Sequence, residues 1–139
     1  MQAMRFLPTA ILALMLSASV TFSGNDDPEL DAMMEIDEIT IEGATYLVLC
    51  EDAMRQEYYP IWQINRQRVI ENIQEIISGR DRALLRYDAL EESARSGENP
   101  PYIHDPVECI GYLDNNRHEA EVAIARLREA RGELSASAP

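Results

Sequence analysis

The hydrophobic pattern is clearest between Ile61 and Ala94. Apolar residues recur there at spacings of three and four, which places them on one face of a helix. The stripe consists of Val69, Ile70, Ile73, Ile76, Ile77, Ala83, Leu84, Tyr87, Leu90 and Ala94. It predicts one amphipathic helix, or two in succession, with one face committed to packing. Ser78–Gly79 lies near the middle of the stripe, so the shape of the molecule depends on whether the chain turns there.

The same helical spacing extends over residues 44–133, and we expect one helical domain in that range. Pro60 either starts a new helix or kinks a continuing one, because proline has no backbone N–H. Residues 97–101 contain glycine and two prolines and form the clearest predicted loop. Asp105 precedes a proline and is a suitable cap for the last helix, which ends at Gly132. No pair of strands is indicated, so the predicted fold class is all-α.

Residues 1–23 have the order of a secretory signal peptide. Arg5 supplies a positive start, Phe6–Leu16 is an apolar run, and small residues follow. The run is shorter than the ~20 apolar residues that a membrane-spanning helix needs. Small residues at the required positions predict cleavage after Ser19 or Ser23. We therefore expect an exported protein, periplasmic or secreted, with no membrane span in the mature chain.

Two further segments are predicted to be poorly ordered. Residues 24–43 are acidic and weakly patterned, so we expect a weakly ordered segment there. Within it, Ile39–Ile41 alternates briefly and is expected to be extended, and Gly43 is expected to end it. Residues 134–139 are small and are predicted to form a disordered tail.

The charge of the chain narrows the choice of partner. It carries 25 acidic and 12 basic residues, for a net charge of −13, and every basic residue is an arginine. Nucleic acids and anionic membranes require a basic patch, so both are disfavoured as partners. Between Asn25 and Glu57 the single basic residue is Arg55. Such an acidic front segment would steer a basic protein toward the molecule.

Two cysteines decide between two arrangements of the helices. In an oxidising compartment Cys50 and Cys109 predict one disulfide. An unbroken helix over residues 61–96 would be about 54 Å long and would hold the cysteines at opposite ends, whereas a disulfide needs Cα atoms within ~7 Å. The chain thus forms either a turned antiparallel bundle of three main helices with an intramolecular disulfide, or a long two-helix hairpin without one. We favour the turn, with Gly79 as a left-handed cap and Asp81 as the N-cap of the following helix.

Two aromatic segments next to prolines are candidates for contact with a partner. In the turned bundle both lie at the disulfide end of the molecule. The candidate partner-binding residues are Tyr58, Tyr59, Trp62, Tyr102 and Ile103. Rigid aromatic side chains of this kind anchor protein interfaces. The alternative is that the same residues close the end of the core and pack on the disulfide.

Asp114, His118 and Glu121 share one helical face and are weak candidates for binding a divalent metal. The alternative is an ordinary solvated face. His104 lies five residues before Cys109 and is interpreted as a loop residue beside a helix cap. Serine-nucleophile motifs and glycine-rich phosphate loops are absent from the sequence. We therefore expect no catalytic site and no cofactor.

Together these features predict an exported, non-enzymatic helical module that binds another protein, in which a basic partner would suit the acidic surface. An inhibitor, an immunity protein, an adaptor and a chaperone-like subunit all fit this description. The alternative function is a metal-binding or cofactor-binding helical bundle.

Overall fold

The computed structural model describes residues 27–97 and 101–133, and four helices lie within these ranges. Helix α1 spans Pro28–Met54, α2 spans Tyr59–Gln74, α3 spans Arg80–Ser96 and α4 spans Pro106–Ala130. The described ranges contain no strand, which confirms the all-α prediction. The bundle has four helices rather than three main ones. The reason is that residues 28–43, which were expected to be weakly ordered, join the following residues in one long helix, α1, that packs in the bundle.

Helix α1 begins much earlier than the sequence pattern indicated. It starts at Pro28 rather than near residue 44. The Asp27 carboxylate accepts a hydrogen bond from the backbone N–H of Leu30 at 3.0 Å, and proline suits the first helical position. Glu29 and Asp31 lie in the first turn, where negative charge stabilises the positive end of the helix dipole.

Packing against α4 explains why the front segment is helical rather than weakly ordered. Three apolar residues of α1 face three of α4 in one buried cluster: Ala32, Ile36 and Ile39 against Ala120, Ala123 and Leu127. Residues 39–41 are helical and not extended, and Gly43 lies inside the helix rather than at its end. The small alanines let the two helices pack closely, which stabilises a helix of modest apolar content.

Helices α1 and α4 run antiparallel along most of their length. Arg131 pairs with Glu29 at one end, with 2.9 Å between Nε and Oε2. At the other end Cys50 and Cys109 form a disulfide with their Cα atoms 5.9 Å apart, and both residues are fully buried. The bond is intramolecular, as the turned arrangement predicted, and it joins residues 59 positions apart in the sequence.

The chain turns after Gln74, where α2 ends. Gly79 has a φ of +95°, a backbone conformation that residues with a Cβ rarely adopt. It is the N-cap of α3, so Asp81 lies in the first turn of that helix and not at the predicted cap position. Helix α3 then returns parallel to α1, with Arg95 and Glu51 paired at 2.7 Å. The long hairpin is thereby excluded.

One close approach joins the middle of α1 to α4. The side-chain amide of Asn116, 3% exposed, donates to the backbone oxygen of Ile39 at 3.0 Å and to Oε1 of Glu42 at 3.2 Å. It lies directly against Gly43, where a Cβ would be 2.7 Å from Oδ1 of Asn116. Glycine is thus required for this contact, because any larger residue would displace the amide.

Three further predictions concern the signal peptide, the C-terminal tail and membrane-spanning segments. The signal peptide over residues 1–23 and the tail over 134–139 lie outside the described residues. Among the described helices, none is both long and apolar enough to cross a bilayer.

Candidate functional site

The aromatic residues at the disulfide end belong largely to the core. Trp62 is 4% exposed, and its indole N–H donates to the backbone oxygen of Leu47 at 2.8 Å. The ring of Tyr59 stacks on Trp62 with 5.4 Å between centroids. Both side chains pack in the cluster that contains the disulfide, in agreement with the alternative that these residues close the end of the core. Trp62 therefore presents little surface to a partner.

The other members of the predicted set differ in exposure. Tyr58 and Ile103 are half-buried against the same cluster. The backbone N–H of Ile103 donates to the backbone oxygen of Leu49 at 3.1 Å and ties the loop to α1. Tyr102 is 54% exposed. Of the five predicted partner-binding residues, Tyr102 thus offers the most accessible aromatic surface.

The predicted metal ligands on α4 are engaged with an arginine. Arg117 lies within 3.0 Å of Glu121 and 3.8 Å of Asp114. His118 is exposed on the same helix. Among the described residues, no group of three or more His, Cys, Asp or Glu side chains is arranged to hold a metal ion. The carboxylates on this face are thus engaged in ion pairs along the helix.

A groove between α1 and α4 is the main surface feature that the sequence did not predict. Its lining comes from these two helices alone, so it opens on the side that α2 and α3 do not cover. It has a volume of about 410 Å³. The lining residues of this α1–α4 groove are Glu35, Glu38, Ile39, Glu42, His118, Glu119, Val122 and Arg126. The groove combines a largely acidic rim with apolar surface from Ile39 and Val122.

A second depression of about 450 Å³ continues the groove toward the start of α1. It shares Glu35 and Arg126 with the α1–α4 groove and is otherwise lined by Pro28, Asp31, Ala32, Glu129 and Ala130. From residue 28 to residue 42 the helix rises about 21 Å, at ~1.5 Å per residue. The continuous surface is therefore long enough for several turns of a partner helix.

Among the described residues, Glu35 is the one carboxylate lining this surface that pairs with an arginine. Arg126 pairs with Glu35 at the junction of the two depressions. In contrast, Glu38, Glu42 and Glu119 make no ion pair within the described part of the chain. Unpaired carboxylates so close together leave a concentrated negative potential in the α1–α4 groove.

A pair of tyrosines lies beside the acidic end of the groove, which is the end that Glu42 and Glu119 line. Tyr46 of α1 and Tyr112 of α4 stack with ring centroids 5.0 Å apart and planes 1° from parallel. Burial raises the pKa of Tyr46, and the charges of Glu42 and Glu119, which line the groove, raise it further. The stack therefore lies within electrostatic reach of the groove carboxylates.

The hydroxyl of Tyr112 donates to Oε2 of Glu108 at 2.8 Å. This hydrogen bond to a carboxylate is the main cause of the raised pKa of Tyr112. It also restrains the ring, which is 36% exposed. The stack is thus both accessible and held in place.

The helical spacing of Glu35, Glu38 and Glu42 is the signal that would have revealed the groove. These residues recur at three and four, as expected for one face of a helix. That signal is interpretable only once residues 28–43 are known to be helical and to pack beside α4. Comparison of the chain with protein-family models, curated proteins and solved structures finds no match.

Proposed function

We propose that this chain is a non-enzymatic protein-binding module whose α1–α4 groove holds a basic segment of a partner protein. The observation that carries the proposal is the combination, in one depression, of apolar surface with acidic side chains that lack arginine partners. Glu38, Glu42 and Glu119 supply the charge, and Ile39 and Val122 supply the apolar surface. An amphipathic helix bearing arginine or lysine beside its apolar face complements both features.

The groove is suited to this role because its charges are fixed on two helices. The antiparallel pair is held by a disulfide at one end and by the Arg131–Glu29 ion pair at the other. A preformed surface loses less conformational entropy on binding than a flexible acidic segment would. The net charge of −13 adds long-range attraction for a basic partner. Binding should consequently weaken as salt screens these charges.

The second part of the proposal is that the protein works outside the cytoplasm. It is supported by the fully buried Cys50–Cys109 disulfide, since structural disulfides form and persist in oxidising compartments. The signal-peptide pattern over residues 1–23 agrees with this location. Mass spectrometry of the natural protein should find a new N-terminus after Ser19 or Ser23. An intact N-terminus or free thiols would contradict export.

The aromatic end of the bundle is a second candidate contact surface. Its exposed member is Tyr102, which is 54% exposed and lies in the loop that Ile103 ties to α1. A partner contacting this surface would meet Tyr102 first, because Trp62 is almost fully buried. Tyr102→Ala therefore tests this surface separately from the groove.

The groove is tested with a synthetic helical peptide of about 18 residues, which matches the ~27 Å that α1 rises between Pro28 and Tyr46. The peptide carries arginines beside a stripe of leucine and alanine. Its affinity is measured by isothermal titration calorimetry at about 50 mM and about 300 mM NaCl. We expect saturable binding with one peptide per chain, weaker at the higher salt concentration. A scrambled peptide of the same composition should bind more weakly, because it cannot present both faces together.

The decisive variant removes the charges of the rim and keeps their shape, as Glu38→Gln, Glu42→Gln and Glu119→Gln combined. We expect about a tenfold loss of affinity, since exposed ion pairs contribute ~0.2–1 kcal/mol each and tenfold corresponds to ~1.4 kcal/mol. Circular dichroism verifies that the variant folds.

A matched control removes three exposed carboxylates from other helices, as Glu71→Gln, Asp88→Asn and Glu92→Gln combined. Its affinity should fall by less than about twofold, because these charges lie away from the α1–α4 groove. Equal losses in both triple variants would show attraction by net charge alone and would overturn the proposed groove. A loss confined to Tyr102→Ala would assign binding to the aromatic end instead.

A further inference from the structure

We infer that the Tyr46–Tyr112 stack is a subsite that selects arginine over lysine at the acidic end of the groove. This inference rests on the proposed function and adds to it the identity of the side chain that the partner inserts. The stack brings one ring from each helix to the α1–α4 seam, with planes 1° from parallel. Such a fixed aromatic surface is a suitable platform for a planar guanidinium group, which stacks on aromatic faces.

The neighbouring carboxylates provide the second half of an arginine site. Glu42 and Glu119 lie close enough to Tyr46 to influence its hydroxyl electrostatically, and neither is paired with an arginine in the described part of the chain. A carboxylate accepts two parallel hydrogen bonds from one guanidinium, whereas a lysine ammonium is a strongly hydrated point charge. Stacking and pairing together therefore favour arginine.

The protein contains the same kind of contact elsewhere. The guanidinium carbon of Arg66 lies 4.8 Å from the ring centroid of Tyr87. In the described ranges, no arginine of the chain itself occupies the corresponding position over Tyr46 or Tyr112. The exposed stack thus has the chemistry of an arginine site without an internal arginine.

The test compares two peptides that differ only in carrying arginine or lysine at every basic position. Wild-type protein should bind the arginine peptide about two- to fivefold more tightly, the factor expected for an exposed cation–π contact. Tyr112→Leu should bring that ratio close to one, because it should weaken binding of the arginine peptide more than binding of the lysine peptide. Tyr112→Phe keeps the ring and should keep the preference.

Leu85→Ala is the matched control, because Leu85 is a 70% exposed apolar side chain on α3. It should retain the wild-type ratio, and circular dichroism verifies that each variant folds. Equal affinity of wild-type protein for both peptides overturns the arginine subsite and leaves the groove intact. Failure of both peptides to bind overturns the proposed function together with the subsite. A preference that survives Tyr112→Leu also overturns the subsite, because it places the selectivity elsewhere.

Discussion

Gly43→Ala is the substitution that tests most directly how α1 packs on α4. Gly43 is a buried glycine in the middle of α1. A Cβ at this position would lie 2.7 Å from Oδ1 of Asn116 and 3.0 Å from Cγ2 of Val69. Both distances are shorter than ordinary van der Waals contact, so the neighbours would have to move. Asn116 has little freedom to do so, because its amide is held by Ile39 and Glu42.

Two opposing contributions determine the expected change in stability. Alanine favours the helix over glycine by about 1 kcal/mol, through its smaller loss of backbone entropy. Overpacking a core costs about 1–3 kcal/mol, and leaving a buried amide without its hydrogen bond costs about 1–3 kcal/mol more. The steric and polar costs exceed the gain in helix propensity. We therefore expect Gly43→Ala to lower the free energy of unfolding by about 1–5 kcal/mol.

The assay is urea unfolding followed by far-ultraviolet circular dichroism with the disulfide intact. Gly111→Ala is the matched control, because Gly111 is also helical but, apart from its own helix backbone and chain neighbours, no atom lies within 4 Å of a Cβ built there. This variant should gain about 0.5–1 kcal/mol from helix propensity alone. In the background of Asn116→Ala, Gly43→Ala should be less destabilising than in the wild type. If Gly43→Ala is as stable as Gly111→Ala, the close approach of the two helices is wrong.

Three further predictions concern the turn, the disulfide and the buried tyrosine. Gly79→Ala should lower stability by about 1–3 kcal/mol because the φ of Gly79 is +95°, and a neutral result in urea unfolding would contradict the turn geometry. Reducing the Cys50–Cys109 bond should lower stability by about 4 kcal/mol on the chain-entropy model, so equal unfolding midpoints for oxidised and reduced protein would refute that contribution. Burial is the main cause of the raised pKa of Tyr87, so stability should be complete below about pH 10 and fall at higher pH as the unfolded state loses the phenolic proton first. Tyr87→Phe should reduce that alkaline loss in a pH series and cost little at neutral pH, because the buried hydroxyl makes no hydrogen bond within the described residues.

The turn and the disulfide were predictable because each left a strong local signal. Gly79 lies within a clear helical stripe and is typical of a turn, and two cysteines in a chain that is predicted to be exported indicate a pair. The distance limit for a disulfide then selected the turned arrangement over the long hairpin, since it relates two distant positions by simple geometry. The observed Cα distance of 5.9 Å agrees with that reasoning.

The start of α1 was not predictable, because its support comes from another part of the chain. Ala32 and Ile36 are buried, whereas Met34 between them is 57% exposed. Because Met34 is apolar although it faces solvent, it obscures the helical pattern of apolar and polar residues. The residues that cover this face, among them Ala120 and Ala123, lie on α4 and have no local connection to it in sequence. Tertiary packing therefore decided the structure of a segment whose own propensity did not.

The groove was missed for the same reason, and this changes the role of the acidic front segment. As a weakly ordered chain, residues 24–43 would attract a basic partner only by diffuse steering. On a helix capped by Asp27 and held against α4, Glu38 and Glu42 keep fixed positions opposite Glu119. Fixed charges impose geometric selectivity on a partner as well as attraction, because only a correctly spaced set of basic side chains can satisfy all of them. Deleting the front segment would therefore remove one wall of the groove and its buried apolar contacts, rather than only a mobile acidic extension.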